Sequence, residues 1–272
     1  MTGDTEAPLL HYEVHGERGP YMLLVHGFLS SRAQWMLNLD ALSAFARPVV
    51  VELFGHGRSP SPDDAAAYAP ASYGRQFERI RAAVGAERWI VVGQSLGAAL
   101  TLRYALDQPE RVAAHVFTNS NSALADEGWA QRVRPAMEAQ ARRLEADGRR
   151  ALDEHPLNPA RGSRLPGPVR AAFVEDGALL DPCGVANTGL YTVPDSSSRT
   201  RVAENRVPTL LVVGEREERF AGHRQHAAEM MPLLTVVGLD AGHAVNIEAA
   251  GAFNSAVTDF CAEQIERAAT GA

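Results

Sequence analysis

Short apolar runs alternate with stretches of helical periodicity along most of this chain. The runs that predict strands are Leu9–His15, Tyr21–His26, Pro48–Leu53, Trp89–Gly93, Ala114–Thr118, Thr209–Gly214 and Leu233–Val237. Helical periodicity covers the regions around Ala33–Ala46, Tyr73–Val84, Leu96–Asp107, His223–Met230 and Glu248–Ala268. Strands that alternate with helices favour a sheet covered on both faces, so we predict an α/β fold with a mostly parallel, doubly wound sheet.

The alternation stops between Ser122 and Arg201. An arginine-rich helical segment, Trp129–Arg150, is followed there by a tract rich in proline and glycine. A structureless loop of this length is uncommon in a compact domain, so we predict an inserted helical lid at 122–201 and a core formed by 1–121 and 202–272. A disordered linker is the alternative, but several large apolar residues supply surface to bury: Trp129, Phe173, Leu179, Leu180 and Tyr191.

Composition and charge narrow the classes of partner. The 272 residues are 46% hydrophobic, which is enough for one full core. The net charge is −7, and all 26 basic residues are arginines that form no basic block. This balance disfavours a nucleic-acid partner and leaves a small molecule as the expected one, bound by a monomer or a homodimer.

The cysteines and the apolar runs bear on the cellular compartment. Cys183 and Cys261 lie far apart and match no metal or redox spacing, which favours a reducing compartment. Residues 1–6 are polar and acidic, unlike a secretory signal, and no run of about 18 apolar residues is present that could span a membrane. We therefore expect a cytoplasmic protein without a membrane partner.

The segment Ile90–Leu100 carries the strongest chemical signal. A β-branched apolar run enters Gly93-Gln94-Ser95-Leu96-Gly97, and a helix-forming stretch leaves it. A strand that turns sharply into a helix at Gly-x-Ser-x-Gly is typical of a nucleophile elbow, which exposes the serine hydroxyl at the edge of a sheet. We predict that Ser95 is a nucleophile, with a purely structural Gly/Ser turn as the alternative.

Two backbone N–H groups are candidates for an oxyanion hole. A tetrahedral intermediate carries negative charge on the former carbonyl oxygen, and preorganised N–H donors stabilise that charge. The N–H of Leu96 follows the nucleophile at a helix N-terminus, and the N–H of Phe28 follows His26-Gly27 at the end of an apolar strand. The alternative is that His26-Gly27 only ends the strand.

His243 is the predicted general base. A serine hydroxyl needs a base with a pKa near neutrality, and histidine fits this need. Of the nine histidines, His243 follows Ser95 in the chain order serine, acid, histidine, and it lies in the loop after the last predicted strand. His223 and His226 have the spacing of a metal pair, but no third ligand is evident, so we predict no metal site.

The acid that orients His243 is expected after the strand Thr209–Gly214. This turn contains glutamates and no aspartate, and Glu217 has the preferred spacing from the glycine that ends the strand. A glutamate can orient an imidazole as an aspartate does if the backbone compensates for one extra methylene. Asp126 and Glu127, shortly after the strand Ala114–Thr118, are the alternatives.

These motifs together resemble the α/β-hydrolase fold superfamily outside the predicted lid. The resemblance rests on His26-Gly27-Phe28, Gly55-His56-Gly57-Arg58-Ser59, Gly93-Gln94-Ser95-Leu96-Gly97, Gly214-Glu215-x-Glu217, and Gly242-His243 followed by Glu248. The chain looks most similar to the branch that holds small esterases, C–C hydrolases and the menaquinone-pathway SHCHC synthase. The resemblance implies a triad of Ser95, Glu217 and His243, an oxyanion hole from Phe28 and Leu96, and no cofactor.

The sequence departs from this family at two informative positions. Members usually carry aspartate where Glu217 stands. The SHCHC synthase has an arginine four residues after its nucleophile that holds a substrate carboxylate, and this chain has Ala99 there. Losing a charged hydrogen bond of that kind costs about 1.5–3 kcal/mol of binding free energy. Arginines of the predicted lid such as Arg132, Arg134 or Arg142 are possible substitutes, but arginine is frequent throughout this chain.

Three functions follow from these residues. The first is a serine hydrolase that cleaves an ester, thioester or lactone of a small, largely apolar substrate through an acyl-enzyme on Ser95, with Trp129, Phe220 and Val245 lining the substrate pocket. The second is a C–C hydrolase or SHCHC-synthase-like lyase that uses the same triad as a base. The third is a non-catalytic binding protein with a closing lid, since a fold does not fix a function.

Overall fold

One sheet runs through the centre of the protein. The computed structural model describes residues 7–162 and 165–270. Within them, the strands are β1 (Tyr12–Val14), β2 (Tyr21–Val25), β3 (Arg47–Val51), β4 (Trp89–Gly93), β5 (Val112–Thr118), β6 (Thr209–Gly214) and β7 (Leu234–Leu239), in the order β1-β3-β2-β4-β5-β6-β7. β1 is antiparallel to β3 and all other neighbours are parallel, which confirms the predicted fold class.

Helices cover both faces of this sheet. They are α1 (Leu39–Phe45), α2 (Pro70–Ala83), α3 (Leu96–Asp107), α4 (Trp129–Asp147), α5 (Arg149–Asp153), α6 (Gly167–Gly177), α7 (Pro182–Asn187), α8 (Ala221–Met230), α9 (Val245–Glu248) and α10 (Ala250–Thr270). No described helix is both long and apolar enough to cross a membrane. Residues 1–6, whose polar character argued against a secretory signal, lie outside the described residues.

The central strands supply core residues to both layers. Side chains alternate between the two faces of a strand, so neighbouring residues of β2 enter different clusters. Leu23 packs in the cluster that contains Phe77 of α2, whereas Leu24 packs in the cluster that contains Phe253 of α10. Each of these side chains is fully buried, and full burial of such a side chain contributes about 1.5–3 kcal/mol.

The predicted helix around Ala33–Ala46 is shorter in the structure. A 3-10 turn at Arg32–Trp35 comes first, and α1 begins only at Leu39. Asn38 lies between them, fully buried, and its amide donates to the carbonyl of Asn246 at 2.9 Å and to Oδ1 of Asn254 at 2.8 Å. The helix is interrupted because these long-range hydrogen bonds hold Asn38 against the C-terminal part of the chain.

The segment between β5 and β6 is largely helical and contains α4–α7. The predicted helix Trp129–Arg150 ends at Asp147, because Gly148 adopts a φ of +52°, a left-handed conformation that stops a helix. α6 and α7 form inside the tract rich in proline and glycine. Pro168 and Pro182 lie in the first turns of these helices, where the missing N–H of proline costs no hydrogen bond.

The insertion 122–201 is attached to loops at the carboxyl edge of the sheet. Its Leu144 and Leu152 pack in one cluster with Leu29, and Phe28 packs against that cluster. Asp176 of α6 accepts hydrogen bonds from Arg58 at 3.0 Å and from Ser31 at 2.9 Å, and it is almost fully buried. The apolar contacts with Leu29 and the hydrogen bond from Ser31 therefore hold the insertion beside residues 26–31, and the ion pair with Arg58 holds it to the loop after β3. The boundaries of the insertion and of the core as separate domains remain a prediction.

Candidate active site

Ser95 lies at the turn between β4 and α3. Its φ of 54° and ψ of −117° fall in a strained region for a residue with a side chain, at a cost of about 1–3 kcal/mol. A Cβ on Gly93 would lie 2.3 Å from Oγ1 of Thr101, and a Cβ on Gly97 would lie 2.2 Å from the carbonyl oxygen of Val25. Only glycine fits at these two positions, which is why the elbow requires the Gly-x-Ser-x-Gly pattern.

The structure brings Ser95, His243 and Glu217 together. His243 lies in the loop after β7, and Glu217 lies in the loop after β6. Nε2 of His243 is 2.9 Å from Oγ of Ser95, and Nδ1 is 2.9 Å from Oε2 of Glu217. An imidazole with its proton on Nδ1 donates to the carboxylate and accepts the hydroxyl proton at Nε2. This arrangement suits a general base that activates a nucleophile.

Glu217 is charged at neutral pH. Partial burial raises the pKa of its carboxyl, but the hydrogen bonds from His243 and Asn119 outweigh this effect and hold the pKa below its ordinary value. The two alternative acids lie elsewhere. Asp126 is exposed and paired with Arg132, and Glu127 is also exposed. The carboxylate at the ring nitrogen remote from Ser95 is therefore that of Glu217.

Asn119 is a member of this site that the sequence analysis missed. It follows β5 directly and is fully buried. Its amide nitrogen donates to Oε2 of Glu217 at 2.9 Å and to the carbonyl of Gly214 at 3.0 Å, and its oxygen accepts the N–H of Gly214 at 3.0 Å. A polar residue directly after a buried parallel strand was the available signal, since the carboxyl ends of such strands form the usual binding edge.

Replacing Asn119 by aspartate is expected to make activity more sensitive to acid. The Asn119→Asp variant keeps an acceptor for the N–H of Gly214 but replaces a donor to Glu217 with a second negative charge. Like charges this close raise the pKa of a carboxyl, so Glu217 becomes protonated at a higher pH than in the wild type. The pH profile of kcat/KM for an activated ester should lose activity on the acid side at higher pH. A profile that superimposes on that of the wild type would contradict this role.

The loop His26–Phe28 lies against the nucleophile. A Cβ on Gly27 would lie 2.9 Å from Cβ of Ser95 and 3.4 Å from its Oγ. Within the part of the chain that the structure describes, the N–H groups of Phe28 and Leu96 donate to no protein acceptor. Leu96 also begins α3, so its N–H belongs to the positive end of that helix. Both predicted oxyanion donors are thus next to Ser95 and free to bind a ligand.

Two buried histidines fix this loop. His56 accepts the N–H of Leu29 at 3.1 Å, and His26 accepts the N–H of Leu53 at 3.1 Å. Burial lowers the pKa of His26 to about 3 and that of His56 to about 4, so both rings are neutral and can act as acceptors. Leu29 has a φ of 59°, a strained conformation that the hydrogen bond from its N–H helps to hold.

Comparison with known families agrees with this geometry. The sequence profile described as alpha/beta hydrolase fold matches residues 20–250. The chain belongs to the alpha/beta hydrolase fold family. The protein is therefore an enzyme of the hydrolase type, as its motifs predicted. The predicted resemblance to this superfamily is confirmed.

Proteins with similar sequences or structures differ in the chemistry that their names state. A Bacillus subtilis (strain 168) protein that carries the name of a 2-succinyl-6-hydroxy-2,4-cyclohexadiene-1-carboxylate synthase is 26% identical over 246 residues, 88% of this chain and 89% of its own. A hydrolase from Pseudomonas aeruginosa PA01 superposes with a TM-score of 0.77 at 25% identity, over 92% of this chain and 93% of that one. MenH from S. aureus superposes with a TM-score of 0.82 at 20% identity, over 93% and 98%.

The structure corrects the substrate-lining residues of this hydrolase. Phe220 and Val245 are both 0% exposed and pack inside closed core clusters, so neither offers surface to a substrate. Trp129 lines a cleft of about 190 Å³ with Pro194 and Thr200, and neither Ser95 nor His243 is among the described residues that line it. The sequence shows that these three residues are apolar, but not where the fold places them.

In the histidine pair considered for a metal, His223 lies near the guanidinium of Arg199 and His226 lies near the backbone carbonyl of the same residue. Nη1 of Arg199 is 3.4 Å from Nδ1 of His223, and Nε2 of His226 is 3.4 Å from the carbonyl oxygen of Arg199. Across residues 7–162 and 165–270, no three His, Cys, Asp or Glu side chains form a group that could hold a metal ion.

Proposed function

We propose that this protein is a serine hydrolase that cleaves an ester, thioester or lactone of a small, largely apolar substrate through an acyl-enzyme on Ser95. The observation that carries this proposal is the unbroken hydrogen-bonded chain from Oγ of Ser95 through His243 to the carboxylate of Glu217. The free N–H groups of Phe28 and Leu96 beside the nucleophile support it, because acyl transfer needs donors at that place.

The first half of the reaction forms the acyl-enzyme. Oγ of Ser95 attacks the substrate carbonyl carbon while Nε2 of His243 takes the hydroxyl proton. The carbonyl oxygen becomes an oxyanion, which accepts hydrogen bonds from the N–H groups of Phe28 and Leu96. The intermediate then collapses, the bond to the leaving group breaks, and His243 donates the proton to the departing alcohol or thiol.

The second half releases the acid. His243 takes a proton from water as the water oxygen attacks the acyl carbon, and the same donors stabilise the second oxyanion. Collapse breaks the bond to Oγ of Ser95, which recovers its proton from His243. The charge of Glu217 stabilises the imidazolium in both halves, and burial of its side chain, which is only 7% exposed, limits screening by water.

The insertion 122–201 has the position of a lid in this proposal. The ring of Phe28 contacts His155 of the insertion edge-on, with ring centroids 6.0 Å apart. A Cβ on Gly189 would lie 3.7 Å from Sδ of Met137 and 3.9 Å from the ring of Phe28. We propose that Met137 and the Phe28 ring supply apolar surface near the oxyanion loop, which favours an apolar acyl group.

A lyase or C–C hydrolase is the second candidate, and the relative named as a synthase favours it. In such a reaction the same triad removes a proton without forming an acyl-enzyme. Ala99 argues against a lyase that acts on an anionic substrate, because this residue is fully buried in an apolar cluster and supplies no cation. We therefore place ester, thioester or lactone hydrolysis first.

A burst experiment with p-nitrophenyl esters of increasing acyl length separates these functions. We expect a rapid release of about one p-nitrophenol per active site before the steady state, because acylation precedes slower hydrolysis of the acyl-enzyme. Labelling by a fluorophosphonate without ester turnover would favour the triad acting as a base. Neither labelling nor turnover would favour the binding protein and would overturn the proposal.

A further inference from the structure

The side chain of Glu248 is hydrogen-bonded to the loop that carries His243. It is the last residue of α9, and its side chain turns back toward the start of that helix. Oε2 accepts the N–H of Gly242 at 2.9 Å, and Oε1 accepts the N–H of Ala244 at 3.3 Å. These two N–H groups lie on either side of His243, so a single carboxylate restrains the backbone both before and after the base.

The same carboxylate connects this loop to the one that carries the acid. Arg216 directly precedes Glu217, and its Nη2 donates to Oε2 of Glu248 at 2.8 Å. The backbone N–H of Arg216 also donates to the carbonyl of Ala241 at 2.9 Å. Arg216 and Glu248 together form a bridge between the loops that hold Glu217 and His243.

The loop that carries Glu217 and the loop that carries His243 are tightly packed where Gly214 meets Gly242. A Cβ on Gly214 would lie 1.9 Å from the carbonyl oxygen of Gly242, so the backbones of the acid loop and the base loop are in direct contact. Partial burial raises the pKa of Glu248, but the N–H of Gly242 and the guanidinium of Arg216 outweigh it and hold the pKa below its ordinary value. The bridge is therefore ionised at neutral pH.

We propose that Glu248 is a positioning residue. Its carboxylate, which is paired with Arg216, fixes the position of the His243 backbone relative to Glu217, so that the imidazole lies between Ser95 and Glu217. This role rests on the proposed function, because it concerns the base of that mechanism. Glu248 makes no hydrogen bond to the described ring or hydroxyl groups of the triad and acts only through the loop. Supporting contacts of this kind matter because catalytic groups must be held within a fraction of an ångström.

The test compares Glu248→Gln, Arg216→Gln, their double variant and the control Glu215→Gln. Glu215 lies in the same loop as Arg216 but pairs with Arg224 at the surface. The readouts are kcat and KM for p-nitrophenyl acetate and the rate of inactivation by a fluorophosphonate. We expect Glu248→Gln to lower kcat and the inactivation rate by about 10- to 100-fold with KM unchanged, since a small misplacement of a reacting group has an effect of this size. Glu215→Gln should behave as the wild type.

The double variant tests whether the bridge acts as a unit. If Glu248 and Arg216 work together, the double variant is no slower than Glu248→Gln alone, because residues of one network have non-additive effects. Unchanged kcat in Glu248→Gln would overturn the proposal. So would a loss of kcat that a smaller folded fraction, measured by thermal unfolding, fully explains and that Arg216→Gln does not share. If Glu248→Gln does not fold, kcat of Arg216→Gln decides, since that side chain is 49% exposed.

A spectroscopic readout separates this proposal from the proposed function. The proton between Nδ1 of His243 and Glu217 should give a downfield NMR resonance in the wild type and in Glu215→Gln, and it should broaden or vanish in Glu248→Gln. A wild type that shows this resonance but neither reacts with the fluorophosphonate nor turns over the ester would contradict the proposed function alone. A resonance that persists unchanged in Glu248→Gln, with wild-type kcat, would contradict the positioning role alone.

Discussion

Ser95→Ala is expected to lower kcat for an activated ester by several orders of magnitude, up to about 10⁶-fold, because removal of a triad nucleophile has an effect of this size. The hydroxyl is the only group at this turn that can form the acyl bond, and its Oγ is 2.9 Å from the base. The binding surface and the oxyanion donors remain, so KM should change little. The measurement is steady-state kinetics of purified wild type and variant over a range of p-nitrophenyl ester concentrations.

The fold should tolerate this substitution. Ser95 is only partly buried, and alanine keeps the Cβ that the elbow accommodates. Thermal unfolding of Ser95→Ala should match that of the wild type, as should that of Ser255→Ala, a control on the exposed side of α10. Retention of more than about one tenth of the activity in folded Ser95→Ala would remove this residue from the mechanism, since far larger losses follow loss of a nucleophile.

Glu217→Gln should lower kcat by about 10³- to 10⁴-fold, because an amide in place of the carboxylate favours the wrong tautomer of the base. The amide nitrogen cannot accept the proton of Nδ1, and no negative charge remains to stabilise the imidazolium. The shape of the side chain is unchanged, so the loss should appear in kcat more than in KM. Glu217→Asp should recover part of the activity, limited by its shorter reach to His243.

The neighbouring glutamates provide matched controls for this variant. Glu215 is half exposed and pairs with Arg224, and Glu218 is exposed. Exposed charges of this kind contribute little free energy, so Glu215→Gln and Glu218→Gln should leave kcat nearly unchanged. Equal losses in Glu217→Gln and in these two controls would show that the loop, and not the carboxylate beside His243, is responsible.

The strands and the approximate location of the site could be predicted because both depend on local patterns. The apolar runs in β4, in β6 and in β2 after Tyr21 are buried on two faces, and runs of this kind are typical of central parallel strands. Ser95 follows β4, Glu217 follows β6 and His243 follows β7, and a parallel sheet places such residues at one edge. The order of the strands and of the residues that follow them therefore predicted that Ser95, Glu217 and His243 lie close together, although they are far apart in sequence.

What could not be predicted depends on packing between distant segments. Phe220 and Val245 were expected to line the substrate pocket, but the fold turns both side chains into the core. Asn119 carries no motif, and its role depends on the distance to Glu217 in the next loop. The break before α1 depends on Asn38 reaching Asn254 at the other end of the chain.

The measurement that tests the central claim most directly is the intact mass of the protein quenched in acid during turnover of a p-nitrophenyl ester. We predict a species heavier by one acyl group, with the added mass on the peptide that contains Ser95, and no such species in Ser95→Ala. Steady turnover of the ester with only unmodified protein at every quench time, or with the acyl group on another residue, would contradict the account.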